Sequence, residues 1–191
     1  EAVVGDKGVK NISNMIGYNF RLGEIESAIG IEQLKKLSSL VTTRQDAASL
    51  LNLGLNNLKG LNIQKVEDNC THSYYVYPMT LDIELIGVSR DKIVKALIAE
   101  GIQGLGQGYA NIHLLPMFQK KIAYGSKGFP WTSDICKRDV SYDKGICPVA
   151  EKLNEKSFIL LEMCLHDLSN EDVTLIITAF KKVWDNLDEI R

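Results

Sequence analysis

The longest periodic signal in this sequence runs from Gly23 to about Leu58. Ile25, Ala28 and Ile29, then Leu34 and Leu37, then Leu40, Val41, Ala47, Ala48, Leu51, Leu55 and Leu58 recur at the spacing of one helix face. Lys35, Lys36, Arg44 and Asp46 fall outside that face. One long helix or two consecutive helices satisfy the pattern, and such a strut has to pack against something large. Directly before it stands Gly17-Tyr18-Asn19-Phe20-Arg21-Leu22-Gly23-Glu24. Free backbone N–H groups and the helix dipole already favour an anion at this point. The Asn19 amide and the Arg21 guanidinium add donors suited to phosphate oxygens. The residues alone leave a second reading open, a capping asparagine and a surface arginine. Glu24 suits the first helical turn rather than chemistry.

The rest of the chain alternates strand-like and helix-like segments. Residues 1–22 carry Gly5, Gly8 and Gly17 and read as loop or as the end of a preceding domain. Ser73 to Leu81 is rich in aromatic and β-branched residues and predicts a strand, with Pro78 asking for an edge position or a bulge. Ser89 is placed to cap a helix whose apolar face is Ile93, Ala96 and Leu97, and Gly101 to end it. Periodicity fades between Gly104 and Gly145, and a stretch as long as 119–146 inside a compact domain is usually functional or mobile. Pro148 suits the first turn of a short helix to about Lys156, and Ser157 to Cys164 reads as a largely buried strand. Ser169 and Asp172 make a capping-box-like start to a final helix striped by Val173, Ile176, Ile177, Phe180, Val183, Trp184 and Leu187. These elements predict an α+β fold in which a mainly antiparallel sheet is covered by helices near 89–100, 148–156 and 170–188.

A length of 191 residues allows one domain with a real core, or one small domain plus connecting elements, but not two catalytic domains. A net charge of −2 gives no electrostatic footprint for nucleic acid, so no nucleic-acid partner is expected. The cysteines at 70, 136, 147 and 164 form no C-x-x-C pair, and neither a signal-peptide core nor a long apolar span appears. A reducing cytoplasm and no membrane partner are the expectation. Cys164-x-His166 lacks the further ligands of a zinc site, so no metal is expected and burial of the sulfur is the better account. The glycines at 104, 106 and 108 are neither G-x-G-x-x-G nor a P-loop, and turns explain them. No nucleophile elbow or H-E-x-x-H occurs.

The pattern G-Y-N-F-R-L-x-E-x-x-x-A-x-G-x-x-Q-L, from Gly17 to Leu34, resembles the signature of the DegT/DnrJ/EryC1/StrS family. These are pyridoxal-phosphate enzymes that mostly aminate keto sugars carried on nucleotides. The resemblance weakens through 60–110 and returns at Ile112-His113-Leu114-Leu115-Pro116, at Cys147-Pro148-Val149-Ala150-Glu151 and in the last helix. It implies the C-terminal half of a fold-type-I enzyme: residues 1–22 as the end of the large cofactor domain, 23–58 as connecting helix, 59–191 as the small domain. The family's Schiff-base lysine lies upstream of the Gly-x-Asn-x-Arg motif. Only Lys7 and Lys10 precede Gly17, neither in such a context, so that lysine is expected to be absent and the chain alone inactive.

The resemblance also implies roles. Asn19 reaches the cofactor phosphate in the neighbouring subunit of a homodimer, and Arg21 lies near the substrate phosphates. His113 sits in a His-x-x-Pro segment that borders the sugar-nucleotide pocket, although a lone histidine among apolar residues reads equally as a hydrogen-bonded structural group. Tyr109 and Tyr124 flank it, suited to stacking on a base or donating to a sugar hydroxyl, or simply to packing. Pyridoxal phosphate is the implied cofactor, and an amino donor such as glutamate passes its nitrogen through it to the sugar. Two alternatives stand beside the aminotransferase: a non-catalytic binding or interaction module, and a sugar dehydratase.

Overall fold

The computed structural model describes residues 20–122, 127–165 and 167–191. The chain divides into two units, Glu1–Ser38 and Ser39–Arg191. A single helix, α1 (Glu24–Leu55, 32 residues), belongs to both, the first of the two forms the periodicity allowed. In the first unit its apolar residues are exposed, Ile25, Ile29, Leu34 and Leu37 among them.

In the second unit the same stripe enters the core through Ala47, Ala48, Leu51 and Leu55. The strands are β1 (Leu61–Ile63), β2 (Val76–Leu81), β3 (Leu105–Gly106) and β4 (Phe158–Glu162), in the spatial order β1-β2-β4-β3. Every neighbouring pair is antiparallel. The helices are α2 (Ile83–Ile86), α3 (Arg90–Ala99), α4 (Pro116–Gln119), α5 (Pro148–Lys152) and α6 (Asn170–Asp185). The expected small antiparallel sheet with helices packed on it is therefore present, and α3 packs on both β4 and α6.

The final helix follows its sequence closely. Ser169 and Asp172 form a reciprocal capping box, and Val173, Phe180, Val183 and Trp184 are buried. Phe180 stacks on Trp184 at 5.8 Å, and the Trp184 indole N–H donates to the Lys59 carbonyl at 2.9 Å. Strand β4 buries Ile159, Leu160 and Leu161 in succession, as befits a strand covered on both faces. The end of α1 approaches α6 where Gly54 has no side chain, since a Cβ there would lie 2.5 Å from the Ile177 Cδ1.

Several local expectations are corrected. Strand β2 begins at Val76 rather than Ser73, and it is an inner strand, not an edge. Pro78 is tolerated because β1 ends at Ile63 opposite Met79, so no β1 residue stands opposite the proline. Ser89 occupies the N-cap of α3 without a side-chain cap bond, while its carbonyl accepts from the Ile93 amide at 3.1 Å. Gly101 does follow α3 with φ of 98°, where side-chain-bearing residues are strained. Gly106 lies in β3 rather than a turn, against the Leu160 side chain. The helix at Pro148 keeps its α form only to Lys152 and continues as a π-type turn, Leu153–Ser157. Cys164 is exposed, so burial of its sulfur does not hold.

Candidate functional site

Of the residues singled out for chemistry, Asn19 lies outside the described residues, as do Tyr124, His166, Lys7 and Lys10. Arg21 is exposed in the non-helical residues before α1. His113 is the one placed in a developed environment.

His113 sits in a 3₁₀ turn, Ile112–Leu114, fixed by bonds from the Leu114 amide to the Asn111 carbonyl (3.0 Å) and from Leu115 to Ile112 (3.1 Å). Its Nε2 lies 2.9 Å from Oε1 of Glu151, and both side chains are nearly buried, at 11% and 7% exposure. Glu151 stands in α5, which starts at Pro148 after Cys147, and its carboxylate reaches back over the helix start. The Gly145 amide donates to both carboxylate oxygens, at 2.8 and 2.9 Å, and the Cys147 amide donates to Oε1 at 3.2 Å. The Gly145 bond holds the carboxyl below its ordinary pKa, aided by His113 and Cys147, while burial opposes them. The site thus carries a fixed, nearly buried anion.

The segment between these two residues is closed by side chains. Gln119 donates to the His113 carbonyl (2.7 Å) and to the Tyr142 carbonyl (2.6 Å). Trp131 donates its indole N–H to the Tyr142 hydroxyl at 2.9 Å. The Phe118 ring packs against Tyr142 at 5.3 Å and Trp131 at 6.3 Å. Lys144 pairs with Glu155, which raises the lysine pKa. Tyr109 is exposed, its hydroxyl 2.9 Å from that of Tyr75, and its carbonyl accepts from Asn154.

A separate groove of about 590 Å³ lies among Glu100, Ile102, Glu162, Asp172, Leu175 and Lys182. Of the described residues singled out for chemistry, Arg21, Tyr109 and His113, it contains none. Lys182 is engaged there by Glu100 at 2.7 Å.

Glu151 is the residue that sequence reasoning missed as a participant, although its Cys-Pro-Val-Ala-Glu segment stood out. A glutamate just inside a helix that starts with proline is itself a signal for a side chain folding back on free N–H groups. Its partnership with His113, 38 positions away, has no local signature.

The pattern of the DegT/DnrJ/EryC1/StrS aminotransferase family matches residues 3–155. The chain belongs to this family. Among its relatives are the spore coat polysaccharide biosynthesis protein SpsC of Bacillus subtilis, 27% identical over 65% of this chain and 32% of SpsC. Another is the dTDP-4-amino-4,6-dideoxy-D-glucose transaminase of Escherichia coli, 25% identical over 78% of this chain and 38% of that enzyme. The fold is shared with Spr1654 of Streptococcus pneumoniae, solved in its PLP-form, with a TM-score of 0.60 and 20% identity over 87% of this chain and 37% of that one. The chain spans well under half the length of these relatives.

The family implies pyridoxal phosphate, so the described residues can be tested against it. Every described lysine is exposed except Lys121, which is partly exposed and paired with Asp139 at 3.1 Å. A Schiff-base lysine needs an amine held in an enclosed site, out of competition with water. The described residues do not by themselves form such a site.

Proposed function

We propose that this chain carries the C-terminal part of a pyridoxal-phosphate-dependent sugar aminotransferase that moves nitrogen from a donor such as glutamate to a nucleotide-linked keto sugar. Family membership over residues 3–155 carries this reading, and the names of the relatives supply the sugar chemistry. In it, residues 1–22 end the cofactor domain, 23–58 form the connecting helix and 59–191 form the small domain. Asn19 contacts the cofactor phosphate across a homodimer, Arg21 contacts substrate phosphate, and His113 borders the sugar. The exposed apolar residues of α1 in the first unit accord with a helix that meets further protein surface. The Schiff-base lysine comes from outside this chain, and the setting is cytoplasmic.

The test is a glutamate-dependent amination assay with a dTDP-linked 4-keto-6-deoxy sugar and pyridoxal phosphate. It is run on this chain alone and on the chain joined to the cofactor-domain half of a relative. Activity only in the joined protein supports the reading. A joined protein that binds cofactor, shown by its absorbance band, yet aminates no keto sugar overturns it. Borohydride trapping on the chain alone should label no single lysine stoichiometrically.

A further inference from the structure

We propose that Glu151 is a positioning residue that fixes His113 in the tautomer with its hydrogen on Nε2, leaving Nδ1 as the acceptor of the ring. The proposal rests on His113 as a sugar-site residue only for its functional consequence. Its geometry stands apart from that reading.

An ionised carboxylate only accepts hydrogen bonds, so an imidazole nitrogen 2.9 Å from it has to be the donor. Glu151 is committed to the anion by two backbone amides that cannot turn away, Gly145 on both oxygens and Cys147 on Oε1. A protonated Glu151 donating to Nε2 would set its added hydrogen against those donors. The depressed carboxyl pKa agrees with the ionised form. The backbone that carries the ring is also held, because Gln119 grips the His113 carbonyl at 2.7 Å and the 3₁₀ turn fixes the residues on either side. Carboxylate, imidazole and turn therefore set which nitrogen carries hydrogen before any ligand arrives. A ligand group that meets neutral His113 at Nδ1 must be a donor, such as a sugar hydroxyl or an amine. One that offers only an acceptor, such as a ketone oxygen, is refused.

Long-range ¹H–¹⁵N correlation spectra of the labelled chain at pH 8 read the tautomer directly, with His113→Gln assigning the signals among the three histidines. The expected spectrum shows His113 with protonated Nε2 and unprotonated Nδ1. In Glu151→Gln the amide oxygen still accepts, so that tautomer persists. In Glu151→Leu no acceptor remains, so the ring relaxes to the tautomer mixture of a free imidazole and a fraction of Nδ1–H appears. A wild-type spectrum with a fraction of hydrogen on Nδ1, or a folded Glu151→Leu protein with no such fraction, overturns the proposal. Should Glu151→Leu fail to fold, the wild-type spectrum decides, since a free imidazole shows a fraction of Nδ1–H and a clamped one shows none. Neither ligand nor turnover enters, so this outcome is separable from that of the amination assay.

Discussion

Two regions of the second unit are held together by different physics. The sheet with α3 and α6 is closed by apolar burial, with Leu51, Leu55, Ile93, Leu97, Ile159 and Phe180 all at 0% exposure. The segment from Asn111 to Cys147 has no buried hydrophobic residue among its described members. It is closed by the Gln119 side chain, the Phe118-Trp131-Tyr142 rings and the Glu151 carboxylate. Area burial is cooperative and non-directional, so the first region stands or falls as a whole. Directional bonds at a few points let the second open locally, and low local stability is where ligand-binding loops are usually found.

The largest effect should come from Phe180→Ala. The side chain is fully buried and stacked on Trp184, and truncation leaves a cavity beneath α6. A loss of roughly 3–5 kcal/mol is expected in urea unfolding. The comparison breaks if the loss stays below about 1 kcal/mol, since the core would then not depend on packing at this point.

Trp131→Ala tests the other side. It removes two edge-on ring contacts and the indole bond to Tyr142, with aromatic pairs each worth about 0.5–1.5 kcal/mol beyond area. The expected result is faster amide exchange through 127–146 with the exchange of α6 amides unchanged. Equal acceleration in both regions would show that they form one cooperative unit.

The same contrast explains what the sequence made legible. Helix α6 could be read outright, because its stripe and its Ser169-Asp172 box are local features that the tertiary packing reinforces. Strand β4 was equally plain from its apolar run. β1, at three residues, and α2, at four, are too short to build up a period and exist because Leu61, Leu81 and Ile86 share one core. Pro78 misled in the other direction, since its demand for a missing neighbour is met by the length of β1 rather than by its own strand's place in the sheet. At the site, residue types pointed to His113, but tautomer and partner depend on Glu151 and Gly145, which only the chain's return brings near.

A smaller effect is expected from Ser169→Ala. The hydroxyl accepts from the Asp172 amide at 3.2 Å, and loss of an N-cap costs about 1 kcal/mol. Unfolding by urea should show that loss with an unchanged slope, and Ser169→Asp should recover most of it. No recovery would mean that the hydroxyl matters through something other than the cap. The core would then owe more to directional bonding than the contrast allows.

The smallest effect concerns acid, and it falls on the polar region. The folded pKa of Glu151 is depressed, first by the Gly145 amide, so ionisation favours the folded arrangement. Its contribution is fully present above the unfolded carboxyl value of about 4.3 and is lost as pH falls through the lower folded value. Protonation puts a hydrogen among donors and removes the acceptor that His113 and two amides share. Exchange at Gly145 and Cys147, corrected for the intrinsic pH dependence of amide chemistry, should therefore quicken below that range while the amides of β4 keep their protection. Glu151→Gln should remove the step, because its amide does not titrate. If the step survives in Glu151→Gln, another carboxyl governs the closure, and the division between a packed core and a carboxylate-clasped segment has been drawn through the wrong residue.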